Sequence, residues 1–194
     1  QITMEEGIVK QAELSIAHGI GIRVVKGEGT GYAYTEDASF EKMKEAAFTA
    51  AAISDAPANA GPVSIAGVPF ANRYPIEEPA TGTPLKKKIA WIEEAERAAR
   101  QFDPRIVKVS VSIADDLSAV QIATSEGRIL RDMRPMLRFV VNVVAETNGN
   151  RQVGTSSGGG RIGNEYFSTR MSPAEHGREA ARQAILLLGA VDAP

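Results

Sequence analysis

The clearest alternation along the chain is IVKVSVSIA, from Ile106 to Ala114. Val107, Val109, Val111 and Ile113 fall on one side, with Lys108, Ser110 and Ser112 on the other. Period two over this length predicts a strand with one buried face. Asp115-Asp116 reads as a turn, SAVQIATS as the returning strand and Glu126-Gly127 as a second turn. MLRFVVNVVAE places Leu137, Phe139, Val141 and Val143 on one face, and Asn148-Gly149 is a two-residue hairpin signal. RQVGTSS then returns antiparallel, completing four strands. Upstream, IVKQAELSI, GIGIRVVKG and YAYT read as a shorter meander, broken at His18-Gly19 and at GEGTG. Ile20, Ile22 and Val24 share one of its faces.

Three segments carry the helical period instead. Ser39 to Ile53 sets Phe40, Met43, Ala47 and Ala50 on one stripe. Thr83-Pro84 opens a helix to about Phe102, with Leu85, Ile89, Ile92, Ala95, Ala99 and Phe102 on its inner side. Ser172-Pro173-Ala174-Glu175 is a capping box with proline at the first helical position. The closing helix is expected to bury Ala181, Ile185 and Leu188, with Ala184 and Leu187 widening the stripe. Between the first two helices lie Pro57, Pro62, Pro69, Pro75, Pro79 and Pro84, six of the ten prolines. That density predicts an extended connector, held by Val63, Ile65, Phe70 and Ile76. The expected fold class is α+β: two antiparallel β-meanders with helices packed on one face, joined by a Pro-rich connector. The expected division is 1–54, 55–84 and 85–194.

Composition narrows the function classes. A net charge of −2 argues against a general binder of nucleic acid or membrane surfaces. The basic run Lys86-Lys87-Lys88 reads as a solvated helix face. No cysteine is present, so disulfides and thiolate metal sites are excluded within these residues. No signal peptide or spanning segment is visible. The first residue is Gln1, in strand-like sequence, and AVDAP follows directly after a helix, so a piece of a longer protein is expected.

VGTSSGGGRIG, from Val153 to Gly163, contains two motifs at once. Gly158, Gly160 and Gly163 form a GxGxxG, but a dinucleotide site needs that motif to open a helix in a βαβ unit. The preceding strand belongs to a hairpin, and the next helix begins only at Ser172. Gly154 to Gly158 form a GxSxG around Ser156, which needs an immediate helix and a histidine base. Only His18 and His176 are available. Glu175, His176 and Glu179 share one helix, yet one histidine with flanking carboxylates reads as a solvated face more readily than as a zinc site. The pairs Asp115-Asp116, Glu77-Glu78 and Glu93-Glu94 read as solvated turns and faces. What remains is backbone. Glycines expose N–H and C=O groups to close approach, and an edge strand can pair with an extended peptide. Arg161 could hold a carboxylate there. A solvent-exposed loop is the plain alternative.

EEGIVKQAELSIAHGIGIRVVKGEGTGYAYT, RDMRPMLRFVVNVVAE and, above all, GTSSGGGRIGNEYF resemble the N-terminal domain of the TldD/PmbA family, on its TldD side. The resemblance covers essentially the whole chain. It implies a cytoplasmic zinc metallopeptidase acting on unfolded or modified peptides, of a kind formerly labelled modulators of DNA gyrase. The partners it implies are a PmbA-type subunit or a second copy. Family members hold zinc through HExxxH and a later cysteine in a C-terminal domain, where the glutamate activates metal-bound water. This sequence has neither HExxxH nor cysteine. No catalytic residue, metal ligand or cofactor is therefore assigned here, and the fragment alone is expected to be inactive. Ser157, Gly158, Gly159, Gly160 and Arg161 are the candidate substrate-near loop, facing a channel to that zinc. A stand-alone peptide-binding or assembly module is the alternative.

Overall fold

The computed structural model describes residues 1–56, 64–69 and 71–191. Pro57, Pro62, Val63 and Phe70 of the expected connector lie outside them. In chain order the elements are β1 (Ile2–Glu5), β2 (Ile8–Ala12), β3 (Ile20–Lys26), β4 (Gly29–Thr35), α1 (Phe40–Ile53), β5 (Ala66–Gly67) and α2 (Leu85–Arg100). They continue with β6 (Ile106–Ala123), β7 (Arg128–Thr147), β8 (Asn150–Gly160), α3 (Tyr166–Thr169) and α4 (Pro173–Leu188). This is the α+β class expected, with antiparallel pairing except where β5 runs parallel to β7. The chain forms two compact units.

The larger unit is built on one sheet. β1 pairs with β2 and β6, β6 with β7, and β8 with β7. Leu137, Phe139, Val141 and Val143 share a buried face with Val109, Val111 and Ile113, as the alternation predicts. Helices α2 and α4 cover this face and pack on each other. Two backbone approaches make that possible. A Cβ at Gly177 of α4 would lie 2.1 Å from the Ala95 carbonyl oxygen of α2, and one at Gly154 of β8 would lie 2.0 Å from that of Ala180. Burying a side chain such as Phe139 or Ile92 contributes about 1.5–3 kcal/mol, so this interface carries much of the stability. The smaller unit is the β3–β4 hairpin backed by α1, where Gly31 lets the strand approach the Ala50 carbonyl.

Several expectations are corrected. Asp115-Asp116 is not a turn: β6 runs straight through it, with Asp115 opposite Leu137 and Asp116 opposite Met136. SAVQIATS is therefore the continuation of the same strand, and Glu126-Gly127 is the actual turn. The reason lies on α2, where Lys88 Nζ meets Asp115 Oδ1 at 2.5 Å. Lys88 thus leaves the solvated face assigned to it. Val107 is exposed and Ile106 buried, because the register shifts between Ile106 and Lys108. β2 ends at Ala12, leaving Leu14 and Ile16 exposed, and β1–β2 joins the large sheet instead of β3–β4. Phe40, Leu85, Phe102 and Leu187, near helix ends, are exposed.

Candidate functional site

β8 extends further than RQVGTSS and takes in all three glycines of the run. Asn148 and Gly149, at φ 49° and 80°, make the tight turn that brings it back along β7. Its residues alternate in role. Gly154 and Ser156 face α4 and are buried, whereas Thr155, Ser157 and Gly159 are exposed on the opposite side. Ser156 Oγ lies 2.8 Å from Nδ1 of His176, and Tyr166 Oη lies 2.9 Å from Nε2 of the same ring. His176 is fully buried, stacked on Tyr166 with ring centroids 5.8 Å apart and tilted against Phe139 at 5.4 Å. Burial pushes its pKa below 6.5, against a weaker pull from Glu175. Burial likewise raises the Tyr166 phenol, opposed by the Gly159 backbone N–H acting on its oxygen.

The glycines are where this cluster needs them. A Cβ on Gly158 would lie 1.8 Å from Tyr166 Oη and 3.0 Å from His176 Cε1. Gly159, at φ 124°, would place one 2.0 Å from the Leu137 carbonyl oxygen. Gly160 adopts φ 140° in open space. These backbone conformations are ones that L side chains rarely adopt. Beyond them the exposed Arg161 guanidinium sits 5.3 Å from the Tyr74 ring centroid.

Glu165 then ties the turn to the connector. Its carboxylate accepts from Gly163 N at 2.9 Å and Glu78 N at 3.1 Å, while Asn164 N donates to Glu78 O at 2.7 Å. Burial works against ionisation of Glu165, but these backbone donors outweigh it and its pKa lies below 4.5. Asn164 Nδ2 also reaches Thr83 Oγ1 at 2.6 Å.

Two sequence motifs are resolved by this geometry. Ser156 and His176 do meet, but Ser156 is buried and the far ring nitrogen faces a tyrosine, with no carboxylate to orient it. A serine nucleophile must be open to substrate, so the pair is structural. The helix carrying Glu175, His176 and Glu179 does not fit a metal either. Both His176 nitrogens are engaged, Glu175 closes the capping box, and Glu179 pairs with Arg182 and Gln183. Among the described residues no group of three or more His, Cys, Asp or Glu could hold a metal ion.

Sequence reasoning missed His176 as a core residue, together with Tyr166 and Glu165. The signal was present for His176. Positions 173, 177, 180, 181 and 184 form the small-residue stripe of α4, and 176 lies on it one turn before 180.

Comparison places these elements in a class. The model of the PmbA/TldA metallopeptidase central domain matches residues 78–188, and that of domain 1 of the same metallopeptidases matches residues 1–54. The chain belongs to the PmbA/TldD metallopeptidase family. It is 32% identical over 197 residues to a metalloprotease TldD homolog of Haemophilus influenzae, covering 98% of this chain and 41% of that protein. A TldD homolog of Buchnera aphidicola is 28% identical, again with 41% of its length covered. The chain thus spans about two fifths of the length of these curated relatives. Among solved structures, a Thermotoga maritima protein described as a modulator of a DNA gyrase superposes with a TM-score of 0.74 at 20% identity, over 100% of this chain and 43% of that one. TldE from Thermococcus kodakarensis gives 0.56 at 16% identity, over 95% and 40%. These two show the fold. Among the described residues no helix is long and apolar enough to cross a membrane.

Proposed function

We propose that this chain is the substrate-channel and dimerisation part of a TldD-like zinc metallopeptidase acting in the cytoplasm on unfolded or modified peptides. The metal is held by residues outside it, in a C-terminal domain. Its partners in this reading are that domain and either a PmbA-type subunit or a second copy. The observation that carries the reading is the edge of β8. The strand pairs with β7 alone among the described residues and ends in Gly158–Gly160, with Arg161 next along the chain. A peptide without fixed side-chain shape is best held through its main chain, and a strand edge free of Cβ atoms lets it come close. Ser157 presents a hydroxyl on the exposed side, and Arg161 supplies a cation for a substrate carboxylate.

The test uses the full-length protein. Ser157→Ala and Arg161→Ala change exposed side chains and should leave folding intact. Arg161→Ala should raise KM for an unstructured peptide about fivefold, equivalent to ~1 kcal/mol, with zinc content unchanged. KM and kcat both unchanged in the two variants would remove the loop from the substrate path. Triple alanine replacement of the glycines cannot serve, because Gly158→Ala and Gly159→Ala collide with the fold itself.

A further inference from the structure

β7 is a central strand over only part of its length. Leu137 to Thr147 pair with β8, and Arg128 and Ile129 pair with β5, while β6 lies along the other side from Ile129 to Ala145. Between β5 and β8 the side away from β6 is bare from Leu130 to Met136 among the described residues. β1 reaches only Ile113 of β6, so this part of the sheet is a two-stranded ribbon. Such ribbons are marginal in water, and an unpaired strand edge is a template for another chain. We infer that this gap is a strand-addition site for an extended acidic peptide of another polypeptide. It is distinct from the outer edge of β8 and does not rest on the channel reading.

The alternation of the backbone decides which groups face the gap. Ile129 O accepts from Val68 N at 3.0 Å on the β5 side, and Arg128 O accepts from Thr124 N at 3.0 Å on the β6 side. The register with β6 then runs without a shift from Ile129 to Leu137. Odd-numbered residues therefore turn N–H and C=O toward the gap, and even-numbered ones toward β6. At the far end the Leu137 carbonyl oxygen does face β8, 2.0 Å from the place a Gly159 Cβ would take. The gap thus presents both groups of Arg131 and Met133, and the carbonyl of Pro135. Among the described residues no other segment bonds to them. Pro135 also explains why β8 stops. The next rung after Leu137–Gly160 would need its N–H, and proline has none. What stays open holds about five extended residues at ~3.4 Å each.

Charge selects the occupant. Arg131 is exposed, and its Nε donates to the neutral Gln121 Oε1 at 3.0 Å. Arg138, opposite Gly159, is exposed and has no ion pair among the described residues. Arg134 is neutralised by Asp132 at 2.6 Å. Two unneutralised cations therefore flank the gap, and Met133, 47% exposed, offers an apolar contact. The other bare edge of the ribbon, on β6, carries the exposed Asp116 and repels the same peptide.

Amide hydrogen exchange followed by NMR on the 194-residue chain tests the site. Without peptide, Arg131 and Met133 should exchange fast, and Asp132 and Arg134 slowly. The probe is a short peptide alternating glutamate and valine. It should slow Arg131 and Met133 about tenfold and leave the other two alone. Met133→Pro removes a donor that faces the gap and spares the β6 ladder; it should weaken binding up to about tenfold, whereas Met133→Ala keeps the donor and most of the affinity. Arg131→Glu should weaken it about fivefold. Four results would overturn the proposal: Arg131 and Met133 already slow without peptide, no binding, protection at Ala119 and Gln121 of β6 instead, or a lysine–valine peptide binding equally well. Protection at Ser157 and Gly159 alone would overturn it too, while supporting the β8 edge of the channel reading.

Discussion

Gly158 and Ser157 are chain neighbours with opposite exposure to the fold. One has the Tyr166 hydroxyl where its Cβ would be, and the other points into solvent. Overpacking a closed site costs about 1–3 kcal/mol, whereas a surface change stays within about 0.5 kcal/mol. Gly158→Ala should therefore lower the urea midpoint of unfolding clearly, and Ser157→Ala should leave it in place. The sequence announced that glycine was required here but not why. A glycine run reads equally as an open loop or as close packing, because composition does not say what lies opposite. The phenol of Tyr166 lies eight residues downstream, and only the turn anchored by Glu165 brings it back over β8. His176 was misjudged for a related reason. Between Glu175 and Glu179 it looks solvated, yet the helical period puts it on the inner stripe, and Ser156 and Tyr166 satisfy its nitrogens there.

At the level of elements, β6 shows how a charge can be part of a strand. Two aspartates after a long alternating run are ordinarily a turn signal. Here Asp115 stays in the sheet because Lys88, on the buried side of α2, meets it with both side chains about one tenth exposed. Removing one member of such a pair leaves an unbalanced charge and costs about 3 kcal/mol. Asp115→Ala should therefore destabilise strongly in urea unfolding. The double replacement Lys88→Met with Asp115→Ala should recover much of the loss; equal losses in single and double variants would show that the pair is not coupled. The other elements were legible where their signal was local: the Asn148-Gly149 turn, the Ser172–Glu175 capping box and the alternation of β7. Strand pairing was not. Nothing in ITME says that it lies against β6, with Met4 opposite Val111.

For the whole molecule, acid stability follows from two buried groups of different kinds. His176 has a folded pKa below 6.5, so the unfolded chain takes up its proton first as pH falls. Its contribution is complete above pH 6.5 and declines as pH drops from there toward its lowered folded value. Glu165 has a folded pKa below 4.5, so its contribution is complete above 4.5 and is lost as pH falls through its own lowered value. Thermal midpoints should therefore fall in two stages on acidification. His176→Gln, whose amide donates and accepts without titrating, should abolish the upper stage alone. A single stage below pH 4.5 in the unmodified chain would contradict this account.

The sequence by itself determined the α+β class, most element positions, the caps and turns, and, through its TldD-like blocks, the family. These rest on local periodicity and on chemistry within a few residues. Only the tertiary structure decided that β1 and β2 belong to the large sheet, that Lys88 and Asp115 form a pair, and that the glycines make room for Tyr166 beside His176. Each of those joins residues far apart in the chain, and what fixes such a contact is the space and partner available after folding, which no stretch of sequence carries alone.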